Sequence, residues 1–133
     1  MANVTNRMHQ YQMALEQPFD FADAAVVPSV LAPKLPMGAM VLSARVIVET
    51  AFNGGAAATV SVGISGNTTK YVNAADLDAA TGIVAGAITS GIPLANEETL
   101  LFTFSANAQA SSAGKARLVI EYIVAGRGNE AQP

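Results

Sequence analysis

Apolar residues recur at every second position along much of the chain. In "LSARVIVETAF", Leu42, Ala44, Val46, Val48 and Phe52 fall on one face, with Ser43, Arg45 and Glu49 on the other. That alternation predicts a strand with one buried side. "ATVSVGI" repeats it, with Ala58, Val60, Val62 and Ile64 set against Thr59, Ser61 and Gly63. Between the two runs stand Asn53, Gly54 and Gly55, residues that tolerate the positive φ of tight connections, so the pair reads as a hairpin. "TLLFTFSA" aligns Leu100, Phe102, Phe104 and Ala106, and "KARLVIEYIV" aligns Ala116, Leu118, Ile120, Tyr122 and Val124. The polar stretch Asn107–Gly114 between them reads as a second hairpin loop.

Weaker patterns flank these four strands. "YQMALE" alternates Tyr11, Met13 and Leu15 with polar or small residues, which predicts an early strand near residues 8–16. "VVPSVLAPKLPMG" carries Pro28, Pro33 and Pro36, which cannot donate to a ladder, so it reads as an edge strand or an extended connection. Tyr71 and Val72 read as a short strand, with Asn73 capping a turn or two of helix. "GIVAGAI" reads as one more strand. About eight strands at roughly ten-residue spacing, with no long helical stretch, predict an all-β antiparallel sandwich, with a jelly roll as the first topology. An immunoglobulin-like sandwich has the same alternation. The whole chain, 1–133, is expected to form one domain with a core over about residues 8–124. Residues 1–7 form an N-terminal arm and 125–133 a C-terminal tail, because neither has periodicity.

Composition narrows the function. Charged residues make up 13% of the chain and the formal net charge is −3, against roughly 25% charged residues in ordinary domains. A surface so poor in charge suits contact with other proteins. The Lys and Arg side chains are scattered singly, which argues against direct nucleic-acid binding. Cysteine is absent, which removes disulfides, thiolate zinc sites and thiol nucleophiles. The opening "MANVTNRMHQYQ" lacks a basic run followed by an apolar one, so no secretory signal is expected. Ala79–Asn96 is uncharged and contains a Gly82/Gly86 GxxxG match, yet its Gly, Pro, Thr and Ser content favours short strands over a membrane span.

Candidate chemistry is sparse. His9 is the sole histidine, and it lies on the first strand, outside any nucleophile turn. It reads as a residue facing solvent or a partner. Asn73, Asp76 and Asp78 are weak calcium candidates, because closely spaced oxygen ligands suit a hard cation. They lack the loop glycine and distant glutamate of an EF-hand, and a helix cap explains them more simply. Glu97 and Glu98 are adjacent and point to opposite sides of a strand, unlike a catalytic carboxylate pair. In "QPFDFAD", Phe19 and Phe21 fall on the same side of an extended segment, where they either close the core or anchor a neighbouring subunit. No cofactor is expected.

The pieces "LPMGAMV", "ETAFNGG", "TVSVG" and "ARLVIEYI", in that order over Leu35–Ile123, resemble small capsid decoration (cement) proteins of tailed bacteriophages. The resemblance implies a jelly-roll sandwich bound to the outer surface of the major capsid protein shell, bridging neighbouring subunits and acting without catalytic residues. It also implies a virion location and a homo-oligomer, dimer or trimer. The N-terminal segment through Phe21 and the tail from Gly126 are expected to make part of the contacts, with Arg7, His9, Phe19, Phe21 and Arg127 as the candidate interface residues. A tail, head-fibre or baseplate component that binds a host glycan is the alternative.

Overall fold

A computed structural model describes residues 12–55, 57–78 and 92–125, and the backbone of residues 82–85. Nine strands and two single-turn helices follow in order: β1 (Met13–Asp20), α1 (Phe21–Ala24), β2 (Lys34–Leu35), β3 (Ala39–Thr50), β4 (Thr59–Ile64), β5 (Asn67–Asp76), β6 (Gly82–Ala85), β7 (Glu98–Thr99), β8 (Leu101–Phe104), α2 (Ala106–Gln109) and β9 (Lys115–Val124). The architecture is all-β and antiparallel.

The pairing pattern defines the topology. β7 and β8 act as one strand interrupted at Leu100, whose N–H donates to Pro33 O at 2.8 Å and so continues the β2–β7 ladder. Strands then pair from the outside in: β1 with β9, β2 with β7, β3 with β6, and β4 with β5. This long folded-back ribbon is rolled once, so that β3 also pairs with β9 and β4 with β8. One sheet has the order β1-β9-β3-β6, and the other the order β5-β4-β8 with β2-β7 beyond. That is a jelly roll.

The core lies between the sheets. Val46, Val48, Leu118 and Ile120 face Val60, Val62, Phe102 and Phe104, all buried. Phe19 inserts at the β1 edge, with ring centroids 5.6 Å from Phe102, 5.4 Å from Phe104 and 6.3 Å from Phe52, the first two edge-to-face. Aromatic rings prefer such tilted contacts because the positive edge of one meets the negative face of another.

Several expectations need correction. The Asn53–Gly55 connection is not a hairpin, because β3 and β4 belong to opposite sheets. Phe52 is buried in the crossover and sends its N–H to Leu77 O rather than across a two-strand turn. The β8–β9 connection likewise crosses between sheets, through α2. Leu42 leaves the core face: a register shift between Val41 and Ser43 buries Val41 and Ala44 and leaves Leu42 51% exposed. Such a bulge inserts one residue and reverses the parity beyond it. Asn73 caps no helix, since β5 continues to Asp76 through Ala74, a positive-φ residue whose N–H donates to Ser61 Oγ at 2.9 Å. Cross-strand pairing with β4 overrides the capping tendency. Phe19 and Phe21 do not share a side. Asp20 accepts the N–H groups of Ala22 and Asp23 and starts α1, which rotates Phe21 outward while Phe19 stays in the core.

Candidate functional site

The two ends of the sandwich differ in chemistry. One is closed by polar side chains joining the Ala51–Ala58 and Ser105–Gly114 crossovers. Asn53 Oδ1 accepts the N–H groups of Ser112 (2.8 Å) and Ala113 (3.1 Å), while Asn53 Nδ2 donates to Ser112 Oγ (3.0 Å). Gly54 N–H donates to Ser111 Oγ at 3.0 Å, and that hydroxyl donates to Asn107 O. Ser105 accepts the N–H groups of Thr59 and Ala108 and donates to Ala57 O. A Cβ on Gly54 would lie 1.8 Å from Asn107 O, so only glycine permits this approach. Buried backbone groups at a crossover need such partners, having left the ladder.

The opposite end is apolar. Ala125 N–H donates to Gly38 O, Gly38 N–H to Leu94 O, and Leu94 N–H to Ala39 O, at 2.8–3.0 Å, binding the β2–β3 turn, the start of β3 and the end of β9. β1 begins here too, with Met13 paired to Tyr122. Met37 and Ile92 are 66% and 76% exposed on these connections, and Leu42 projects from the nearby bulge. The start of β1 and the end of β9 thus lie together at this end. Exposed apolar side chains gathered on one end of a domain suit a contact surface.

Between the ends, the outer face of the four-stranded sheet carries an ionic ladder. Arg117 on β9 donates to Glu49 on β3 (2.6 and 2.8 Å) and to Glu16 on β1 (3.3 Å). Glu49 holds the guanidinium charge most strongly and raises the Arg117 pKa further. Arg45 pairs with Glu121 at 2.9 Å, and Ser43 and Gln12 donate to the same carboxylate. Exposed pairs add little stability singly, but these bridge three strands and leave the face with few unmatched charges.

One cluster was invisible in the sequence. Glu98 on β7 accepts from Lys70 Nζ and Tyr71 Oη, both at 2.5 Å, and Lys70 Nζ sits 5.3 Å from the Tyr71 ring centroid. Burial first, then the hydrogen bond to Glu98, pushes the Tyr71 phenol well above its ordinary range. These residues stand 27 and 28 positions apart in the chain, so no local motif could reveal them. Glu97 is exposed and pairs with Lys34 at 3.7 Å.

Of the contact residues expected from sequence, Arg7, His9 and Arg127 lie outside the described residues. Phe19 is spent in the chain's own core, which removes it from any contact surface, whereas Phe21 is 37% exposed. Asn73 and Asp76 occupy exposed positions on β5, with Asp78 just beyond. Asp76 Oδ1 accepts the Asp78 N–H at 3.0 Å. Among the described residues, no three His, Cys, Asp or Glu side chains gather where they could hold a metal ion. No helix among them is long and apolar enough to cross a membrane.

The Asp76 carboxylate raises the Asp78 pKa, chiefly through a side-chain hydrogen bond that favours the protonated acid. A raised folded-state pKa stabilises below the unfolded value, and that benefit fades as pH rises through the folded value. Asp78→Asn keeps a donor for Asp76 at all pH. It is expected to leave Tm unchanged in acid and raise it slightly at neutral pH; a lower neutral Tm would contradict the pairing.

A shallow cleft of about 190 Å3 lies beneath the strap between α1 and β2, lined by Val26, Val27, Pro28, Phe102, Phe104 and neighbouring uncharged residues. Ligand sites usually span about 300–1,000 Å3 with convergent polar groups. The described molecule is thus a jelly roll with one latched polar end, one apolar end and a charge-matched sheet face. Its fold is shared with a chain of the cyanophage Pam1 capsid asymmetric unit, at TM-score 0.60 and 21% identity over 85% of this chain and 84% of that one. A chain of the acid-stable capsid of Helicobacter pylori bacteriophage KHP30 is also similar, at TM-score 0.51 and 20% identity over 86% and 88% of the two chains. No family model and no curated protein matches the sequence.

Proposed function

We propose that the protein is a structural component of a phage virion: a capsid decoration, or cement, protein on the outer surface of the major capsid protein shell. The observation that carries this reading is the jelly roll shared, over most of both chains, with chains of two phage capsids. The apolar end fits a shell-facing role, because Met37, Leu42 and Ile92 expose apolar side chains on the elements that meet the start of β1 and the end of β9. The arms then reach adjacent subunits, and the protein acts as a homo-oligomer, dimer or trimer, without enzymatic activity. Shallow contacts of this kind suffice when repeated, because each bound arm raises the effective concentration of the next.

The test is co-sedimentation of purified protein with expanded, undecorated shells. Wild type is expected to bind and to raise the temperature at which the shells rupture. The triple variant Met37→Ser, Leu42→Ser, Ile92→Ser is expected to lose binding while keeping its Tm, because its positions are exposed. Unchanged binding by the triple variant would remove the apolar end from the contact. Binding to host-wall glycans with no effect on shells would favour a tail, head-fibre or baseplate role instead.

A further inference from the structure

Asn53 and Gly54 form an Asn–Gly pair, the dipeptide whose side-chain amide is most exposed to attack by the following backbone nitrogen. In the reaction, Gly54 N loses its proton and bonds to Asn53 Cγ, closing a succinimide ring. Ammonia leaves from the side chain carrying that proton. Water then opens the ring to aspartate or isoaspartate, with no oxidant or reductant involved.

We propose that Asn53–Gly54 is a deamidation site that the closed crossover keeps unreactive, so that covalent change at Asn53 follows opening of the latched end. Both reacting groups are restrained. The nucleophile is withheld because Gly54 N–H donates to Ser111 Oγ, a 7% exposed residue whose hydroxyl is itself fixed on Asn107 O. The electrophile is pinned by the Ser112 and Ala113 N–H groups on Oδ1 and by Ser112 Oγ on Nδ2. Rotating Cγ onto the Gly54 nitrogen breaks these bonds together. Backbone motion is limited as well, since Asn107 O sits where a Gly54 Cβ would be.

The bond on the nucleophile is the one that a single side-chain hydroxyl controls, which makes Ser111 the residue to vary. Opening isoaspartate into the main chain would lengthen the backbone at a position with no spare room, so a reacted crossover could not close as before.

The experiment follows the one-dalton mass gain and isoaspartate at Asn53, located by peptide fragmentation, in folded protein and in protein unfolded by urea at the same pH and temperature. Folded protein is expected to deamidate at least about tenfold more slowly, in proportion to how rarely the crossover opens. Equal rates in the two states would overturn the proposal. Ser111→Ala is expected to speed the folded-state reaction several-fold while hydrogen exchange along β9 stays at the wild-type level. A folded Ser111→Ala protein that reacts at the wild-type rate would overturn the role of Ser111. If that variant fails to fold, the wild-type comparison still decides the site.

Discussion

Phe19→Ala is expected to lose about 3–5 kcal/mol of stability, the usual cost of removing a large buried aromatic. Its ring is 2% exposed and touches Phe52, Phe102 and Phe104, drawn from the crossover after β3 and from the sheet opposite its own. Among the described strands β1 holds an edge position beside β9, and Phe19 joins its end to the second sheet. Domains of this size have about 5–15 kcal/mol of stability, so the variant should unfold at markedly lower urea. A midpoint within experimental error of wild type would show that Phe19 is not a core residue. It would then return to the contact surface that its sequence position suggested.

Gly54→Ala should be comparably severe for a different reason. Its Cβ would fall 1.8 Å from Asn107 O and 2.7 Å from Ser111 Oγ, and the first is backbone that cannot swing away. The crossovers must part, which breaks the hydrogen bonds of Asn53, Gly54 and Ser111 together. A loss of about 4 kcal/mol or more is expected, the range reserved for disruption of a buried network. Gly66→Ala makes the control. Gly66 has φ +89 but no atom within 4 Å of the added Cβ, so its cost is backbone strain alone, about 1 kcal/mol. Equal effects of the two substitutions in urea denaturation would show that the close approach at Gly54 contributes nothing.

Strand positions were legible in the sequence because parity is a local property. Val46, Val48, Val60, Val62, Phe102, Phe104, Leu118 and Ile120 are buried as their alternation predicts. The sandwich class was legible too, from strand count and spacing. The jelly roll was a first choice that the pairing of β1 with β9, β2 with β7, β3 with β6 and β4 with β5 decides over an immunoglobulin-like order. Which strands share a sheet was not, because "FNGG" supports a tight hairpin and a crossover equally well. The choice between them is made by Ser111, Ser112 and Ala113, some 60 residues away. Leu42 escaped for a related reason: a bulge is set by pairing with β9, and nothing within the strand announces it. The apolar end was hidden as well, since the segments that carry Met37 and Ile92 are tied together only through the bonds of Gly38, Ala39 and Leu94.

Low charge points to a protein-facing surface, and the structure adds where apolar area is exposed and where it is not. The latched end offers polar groups already paired with one another, and beside it the strap after α1 exposes Val26 and Val27. The sheet face offers charges already matched by Glu16, Glu49 and Glu121.

The most direct measurement is a cryo-electron microscopy map of the phage particle in which the proposed role would put this chain. The expected result is jelly-roll density on the outside of the shell, with the Gly38–Ala39 and Leu94 end against the major capsid protein and the Asn53–Ser112 crossover pointing away. Density with the latched end against the shell would contradict the assigned orientation. Intact shells without this protein, or density confined to the tail, would contradict the decoration role itself.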